Sequence, residues 1–191
     1  MIAVPNAFTA TDYLDFEESS NQRHEYRYGL VYAMAGGSGN HSAICINLLS
    51  AIHGHLRQTD CRFYGSDVKV SYADLFFYYP DAFVTCDPRD RTDRYVKRYP
   101  KLIAEVLSPS TELFDRTTKF EDYQAIKTLE EYVLIDQEKV AVECRRRVAG
   151  DRWESQIYQA GDRVELISIG LTVAIEDLYA GLDDLDISIQ A

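Results

Sequence analysis

Two apolar runs constrain this chain most. Leu75 to Val84 and Leu102 to Leu107 have the length and the β-branched or aromatic content of buried strands, yet each carries one carboxylate, Asp81 and Glu105. An ionised acid inside a low-dielectric interior must find a partner, accept hydrogen bonds or bind a cation. Two such acids on neighbouring strands point to a shared divalent-ion site. Lys119, at the end of Asp115-Arg-Thr-Thr-Lys119, is its expected third member.

With 191 residues, 46% of them apolar and only 5 Pro and 10 Gly, the chain can bury a full core and is expected to form a single α/β domain over residues 1–191. The net charge of −11 argues against a surface that is basic all over. One stretch is different. Residues 88–101 hold Arg89, Arg91, Arg94, Lys97, Arg98 and Lys101 against Asp90 and Asp93, six minus two, or +4. That loop reads either as a solvated connection or as a contact to phosphates. Cys45, Cys61, Cys86 and Cys144 lie far apart without a Cys-x-x-Cys pair, so neither a zinc ribbon nor a disulfide framework is expected and a reducing compartment follows. No basic region leads into a long apolar run, and no apolar stretch approaches membrane length. A cytoplasmic protein without a membrane span is the expectation.

Along the chain, residues 8–18 read as a short helix capped by Thr9 or Thr11. Residues 24–34 alternate around Gly29 as a hairpin that carries Glu25. The loop Gly36-Gly-Ser-Gly-Asn40 lacks the GxGxxG spacing and reads as a flexible connection. Ile44, Leu48, Ile52 and Leu56 recur every four residues, which predicts the longest helix, with Asn40 as its cap and His41 in the first turn as a capping or a site residue. Ser66 to Tyr72 alternates as a strand and leads through Ala73-Asp74 into the buried run that reaches Asp81. Thr117 to Leu129 reads as a helix with Phe120, Tyr123 and Ile126 on its core face and Lys119 in its first turn. Glu131 to Asp136 is a further buried strand. Val140 to Arg147, Trp153 to Gln159 and Arg163 to Ile169 alternate between Ala-Gly-Asp turns as an antiparallel extension, and Leu171 to Leu182 leads into an acidic cluster from Glu176 to Asp186.

Taken together, Tyr79-Pro80-Asp81-Ala-Phe-Val, Ile103-Ala-Glu105-Val-Leu-Ser-Pro-Ser-Thr111, Asp115-Arg116 with Lys119 and Tyr123, and Glu131-Tyr132-Val-Leu-Ile-Asp136 resemble the Uma2 family, formerly the domain of unknown function DUF820. The resemblance extends upstream to Glu25, Gly29 and His41 and downstream through Tyr158-Gln-Ala-Gly161-Asp162. It implies the PD-(D/E)xK restriction-endonuclease-like fold, a mixed β-sheet flanked by helices. It also implies a DNA endonuclease in which Asp81 and Glu105 ligate Mg²⁺ or Mn²⁺ and Lys119 completes the catalytic set, with Glu25 and His41 as additional site residues. Arg91, Arg94, Lys97 and Arg98 would then contact nucleic acid, and a homodimer would address both strands. One position departs from the superfamily pattern: its lysine, two residues after the second acid, is Leu107 here. Lys119 is expected to substitute by reaching in from the following helix, with Lys69 and Lys101 as alternatives. The competing reading is a binding or assembly module that keeps the fold without turnover.

Overall fold

Pro80 divides the first apolar run. Phe76–Tyr78 and Ala82–Thr85 are strands of different sheets, with Tyr79-Pro80-Asp81 as the crossing between them. A proline offers no N–H to a ladder, so one continuous strand through this point is disfavoured. The computed structural model describes residues 8–182 and 185. In chain order they form α1 (Ala10–Ser19), the hairpin β1 (His24–Arg27) and β2 (Leu30–Ala33), α2 (Gly39–Leu56), β3 (Arg62–Gly65), β4 (Lys69–Tyr72), β5 (Phe76–Tyr78), β6 (Ala82–Thr85), β7 (Val96–Lys97) and β8 (Leu102–Leu107). A helix with a widened middle follows: α3 (Glu112–Phe114), a π-helical turn Asp115–Lys119, and α4 (Phe120–Gln124). Then come β9 (Glu131–Asp136), β10 (Ala141–Val148), β11 (Arg152–Gln159), β12 (Arg163–Leu166), β13 (Leu171–Ala174) and α5 (Ile175–Leu178).

The architecture is α/β, as expected. A six-stranded mixed sheet runs β11-β10-β9-β8-β6-β3, with β8 and β9 parallel. A five-stranded sheet runs β2-β1-β5-β4-β7, and β12 pairs with β13. The period-2 alternation of β8 sorts its side chains to two cores. Ala104 and Val106 pack with Ile44, Leu48 and Ile52 of α2, whereas Ile103 and Leu107 pack with Phe76, Tyr78, Tyr123 and Ile126. Glu105 belongs by alternation to the second face, and Leu107 is enclosed there at 3% exposure. At the hairpin, Tyr28 (φ 46°) and Gly29 (φ 90°) both adopt the left-handed conformation that a tight two-residue turn requires.

Several expectations are corrected. The cap of α2 is Ser38, not Asn40: Ser38 has extended backbone and its Oγ accepts from His41 N at 3.1 Å. The helix expected over residues 117–129 begins at Glu112 and ends at Gln124, so Lys119 lies in its middle. Cys61 and Cys86 form a disulfide, contrary to the expectation that no disulfide framework is present, and the argument for a reducing compartment lapses with it. They are adjacent because the register Arg62↔Thr85 between β3 and β6 places them opposite each other one residue further on. Asp183, Asp184 and Asp186 of the acidic cluster lie outside the described residues.

Leu48 is 1% exposed between α2 and the sheet. Leu48→Ala is expected to lower the unfolding free energy by about 3 kcal/mol, measured by urea denaturation.

Candidate active site

The site begins where β6 meets β8. Their register ends at Ala82↔Ala104, so one residue further Asp81 stands opposite Glu105. Two hydrogen bonds tie the acids crosswise: Asp81 N donates to Glu105 Oε2 at 3.4 Å, and Val106 N donates to Asp81 Oδ2 at 2.8 Å. Glu25 arrives from the other sheet, where β1 pairs with β5, and accepts from Tyr79 N at 3.0 Å. Lys119 arrives from the π-helical turn. Its Nζ lies 3.0 Å from Glu105 Oε1, 3.1 Å from Glu25 Oε1 and 3.6 Å from Asp115 Oδ1. Asp115 and Lys119, four residues apart, are both buried on one face of the helix. Tyr132 Oη donates to the Asp115 carbonyl and Arg145 Nη1 to that of Arg116, so side chains of β9 and β10 hold this wide turn.

His41 completes the group from the first turn of α2. Its Nε2 is 3.2 Å from Asp81 Oδ2, and its Nδ1 is 3.6 Å from Cys45 Sγ. The hydrogen bond to Asp81 raises the His41 pKa against the opposing effect of burial. Glu25, His41, Asp81, Glu105, Asp115 and Lys119 line a cleft of about 520 Å³, whose other walls include Tyr32, Met34, Gly37, Tyr79 and Phe114.

The electrostatics are unbalanced. Among the described residues, Glu25, Asp81, Glu105 and Asp115 share the cleft with one lysine, one histidine and no arginine. Burial works against the Lys119 charge, but Glu105, Glu25, Tyr123 and Asp115 outweigh it and hold its pKa well above the ordinary lysine value. Burial drives the Glu105 pKa well above the ordinary carboxylate value, against the pull of Lys119. Asp115 is raised by burial as well, with Lys119 opposing. Clustered carboxylates with too few counter-charges are a fitting environment for a hard divalent cation. His41, Cys45 and Asp81 also bring three donor atoms within 4.8 Å of one another. That set suits a soft ion poorly, because burial pushes the Cys45 thiol pKa upward and Asp81 favours the protonated form of His41.

Asp81, Glu105, Lys119, Glu25 and His41 therefore converge on one cleft. The basic loop does not line it. Lys97 is buried, and its Nζ donates to the carbonyls of Asp90 and Asp93. Arg98 pairs with Asp93 and Asp74, each at 3.2 Å, and Arg91 pairs with Asp60 at 3.2 Å. Arg94 is exposed. Lys101 lies 3.6 Å from Glu130, outside the cleft, and Lys69 faces a different cavity. Asp115 and Tyr123 join the residues of the cleft, although the sequence marks neither as a site residue. The i, i+4 spacing of Asp115 and Lys119 was the available signal for the first. Tyr123 reads as core, and it is fully buried, but its Oη also lies 3.3 Å from Glu105 Oε1.

The family model described as "Putative restriction endonuclease", Uma2, matches residues 10–176. The chain belongs to the Uma2 family. Two uncharacterized proteins of Synechocystis sp. are similar along most of their length. One is 42% identical over 172 residues, 90% of each chain, and the other 33% identical over 156 residues, 80% of this chain and 88% of the relative. Among solved structures, a "putative nuclease belonging to DUF820" from Anabaena variabilis superposes with a TM-score of 0.76 at 20% identity, over 90% of this chain and 97% of that one. This likeness shows the shared fold, and the mixed sheets flanked by helices are those of this Uma2 chain.

Removing the Lys119 charge leaves Glu25, Glu105 and Asp115 to repel one another. In Lys119→Met the folded-state pKa values of Glu105 and Asp115, already raised by burial, rise further above their unfolded values, so the folded state binds more protons than the unfolded state from about pH 4.5 upward. The stability deficit relative to wild type is therefore expected to widen as pH rises from 4.5 toward 7 and to shrink on acidification, read by chemical denaturation at several pH values.

Proposed function

We propose that this Uma2 protein is a divalent-metal-dependent endonuclease that hydrolyses DNA phosphodiester bonds. The single observation that carries the reading is the contact of Lys119 Nζ with Glu105 at 3.0 Å, beside an Asp81 tied crosswise to the same glutamate. The charge that the strand position of Leu107 cannot supply is delivered from the helix instead. Asp81 and Glu105 would hold Mg²⁺ or Mn²⁺, hard-oxygen ligands for a hard ion. When bound, such an ion supplies Lewis acidity and an activated water. His41 and the Val106 N–H fix the orientation of Asp81. Glu25, itself held by the Tyr79 N–H, keeps the Lys119 ammonium at the Glu105 edge, where it can offset negative charge gathering on a reacting phosphoryl group.

A second reading is favoured by the internal pairing of the basic loop together with the net charge of −11. On that reading the cleft binds an ion and the protein acts as a non-catalytic assembly module.

Cleavage of supercoiled and linear DNA with Mg²⁺ and Mn²⁺ separates the two. Asp81→Asn, Glu105→Gln and Lys119→Met are each expected to lower the rate by about 100-fold or more. A wild-type protein whose melting temperature rises with Mg²⁺ but which leaves DNA intact supports the module instead. Activity that is equal in all three variants belongs to a contaminant. The melting-temperature rise with Mg²⁺ is expected to be lost in Asp81→Asn, because one ligand is gone while the fold is kept.

A further inference from the structure

Three lysines are buried among the described residues: Lys69, Lys97 and Lys119. Lys97 is satisfied by two backbone carbonyls and Lys119 by three carboxylates. Lys69 differs. At 9% exposure its Nζ has no hydrogen-bond acceptor or ion-pair partner among the described residues, and it lies over the Tyr79 ring, 5.1 Å from the centroid. The atom is not sealed off, because the sequestered polar atoms without partners are Ser71 Oγ and Trp153 Nε1. It opens instead on a second cavity of about 640 Å³. A desolvated ammonium with no acceptor is costly to keep charged, and burial pulls the Lys69 pKa down, outweighing the attraction of Glu17 and Asp93.

Glu17 and Asp93 attract the Lys69 ammonium but form no ion pair with it, their own hydrogen bonds being made elsewhere. Glu17 accepts from His24 N at 3.0 Å and from Tyr79 Oη at 2.9 Å, and it pairs with His24 Nδ1. Asp93 accepts from Tyr95 N and Val96 N and pairs with Arg98, while Asp67 pairs with Arg23 at 2.7 Å. Glu18 stays at the exposed rim. The second cavity also shares walls with the cleft. Tyr79 lines both. Gln22 Nε2 donates to Met34 O at 3.2 Å and Met34 N to Arg23 O at 2.9 Å, which joins the loop beside Lys69 to the cleft rim.

We propose that this second cavity is an anion subsite in which Lys69 takes a phosphate group, and that the phosphate belongs to a nucleic-acid strand passing from the cleft across Tyr79. The anion site stands on Lys69 itself. Only the assignment of the strand rests on the nuclease reading.

The test compares wild type, Lys69→Met and Lys69→Arg in Ca²⁺. Probes are labelled single-stranded oligonucleotides of 3 and 12 nucleotides, with inorganic phosphate as competitor, and melting temperature is recorded alongside. Lys69→Met is expected to weaken binding of the 12-mer about 5- to 10-fold, to flatten its log–log salt dependence by about 0.7, and to leave the 3-mer unaffected. Lys69→Arg should restore the slope. The melting temperature of Lys69→Met should equal or exceed that of wild type, since a partnerless buried charge has been removed, whereas a purely structural role would lower it. Equal affinity and slope in Lys69→Met overturn the subsite. An effect confined to inorganic phosphate overturns the strand assignment. A wild-type protein that cuts no DNA while the Lys69 effect on the 12-mer persists defeats the nuclease reading and leaves the subsite standing.

Discussion

The Lys119 ammonium is the interaction on which the rest of the site depends. It lies among Glu25, Glu105 and Asp115, carboxylates contributed by β1, β8 and the π-helical turn. Removing charges from water is expensive, and their attraction offsets that cost only where geometry and further hydrogen bonds are good. Here the remaining bonds are present: Tyr79 N to Glu25, Tyr123 Oη to Glu105, and the aromatic ring of Tyr78 5.3 Å from the ammonium. One cation thus neutralises part of a charge that three separate segments could not bring together alone. The negative charge that Lys119 leaves uncompensated is carried by Asp81, Glu105 and their neighbours in the cleft.

The position of Leu107 makes sense in the same terms. Its side chain is buried in the apolar cluster that also holds Val70, Phe76, Ile103 and Tyr123, an environment in which an ammonium would be poorly hydrated. Lysine delivered from the helix meets Glu105 from the side instead. Spacing along a strand is one way to bring a cation to an acid, and packing of a neighbouring helix is another.

What could be read from the sequence was what local chemistry determines. Leu102–Leu107 and Glu131–Asp136 were found with their true bounds because each is rich in β-branched, aliphatic or aromatic residues and is bounded by polar or turn-forming ones, so that a single acid at Glu105 does not obscure the strand. The Tyr28-Gly29 turn was legible from the glycine. The division at Pro80 was not drawn, because aromatic content carried the apolar run through it, although the proline was a signal against a continuous ladder. The inward turn of Asp115 depends on a widened helical segment that periodicity does not reveal. The Cys61–Cys86 bond depends on the register of β3 and β6, which spacing alone cannot supply. For the basic loop, a tally of charges showed six cations but not their partners: Asp60, Asp74, Asp87 and two carbonyls lie within reach of it in space, and most of those are remote or uncounted in the local sum.

The crossing at Tyr79-Pro80-Asp81 has one more consequence. Glu25 comes from one sheet, Glu105 from the other, and Asp81 from the link between them. A chain in which only one sheet has formed holds fragments of the constellation too far apart to act together. The constellation therefore exists only where both sheets and the link between them are in place, so a lesion that undoes either sheet dismantles the cleft without touching any of its side chains.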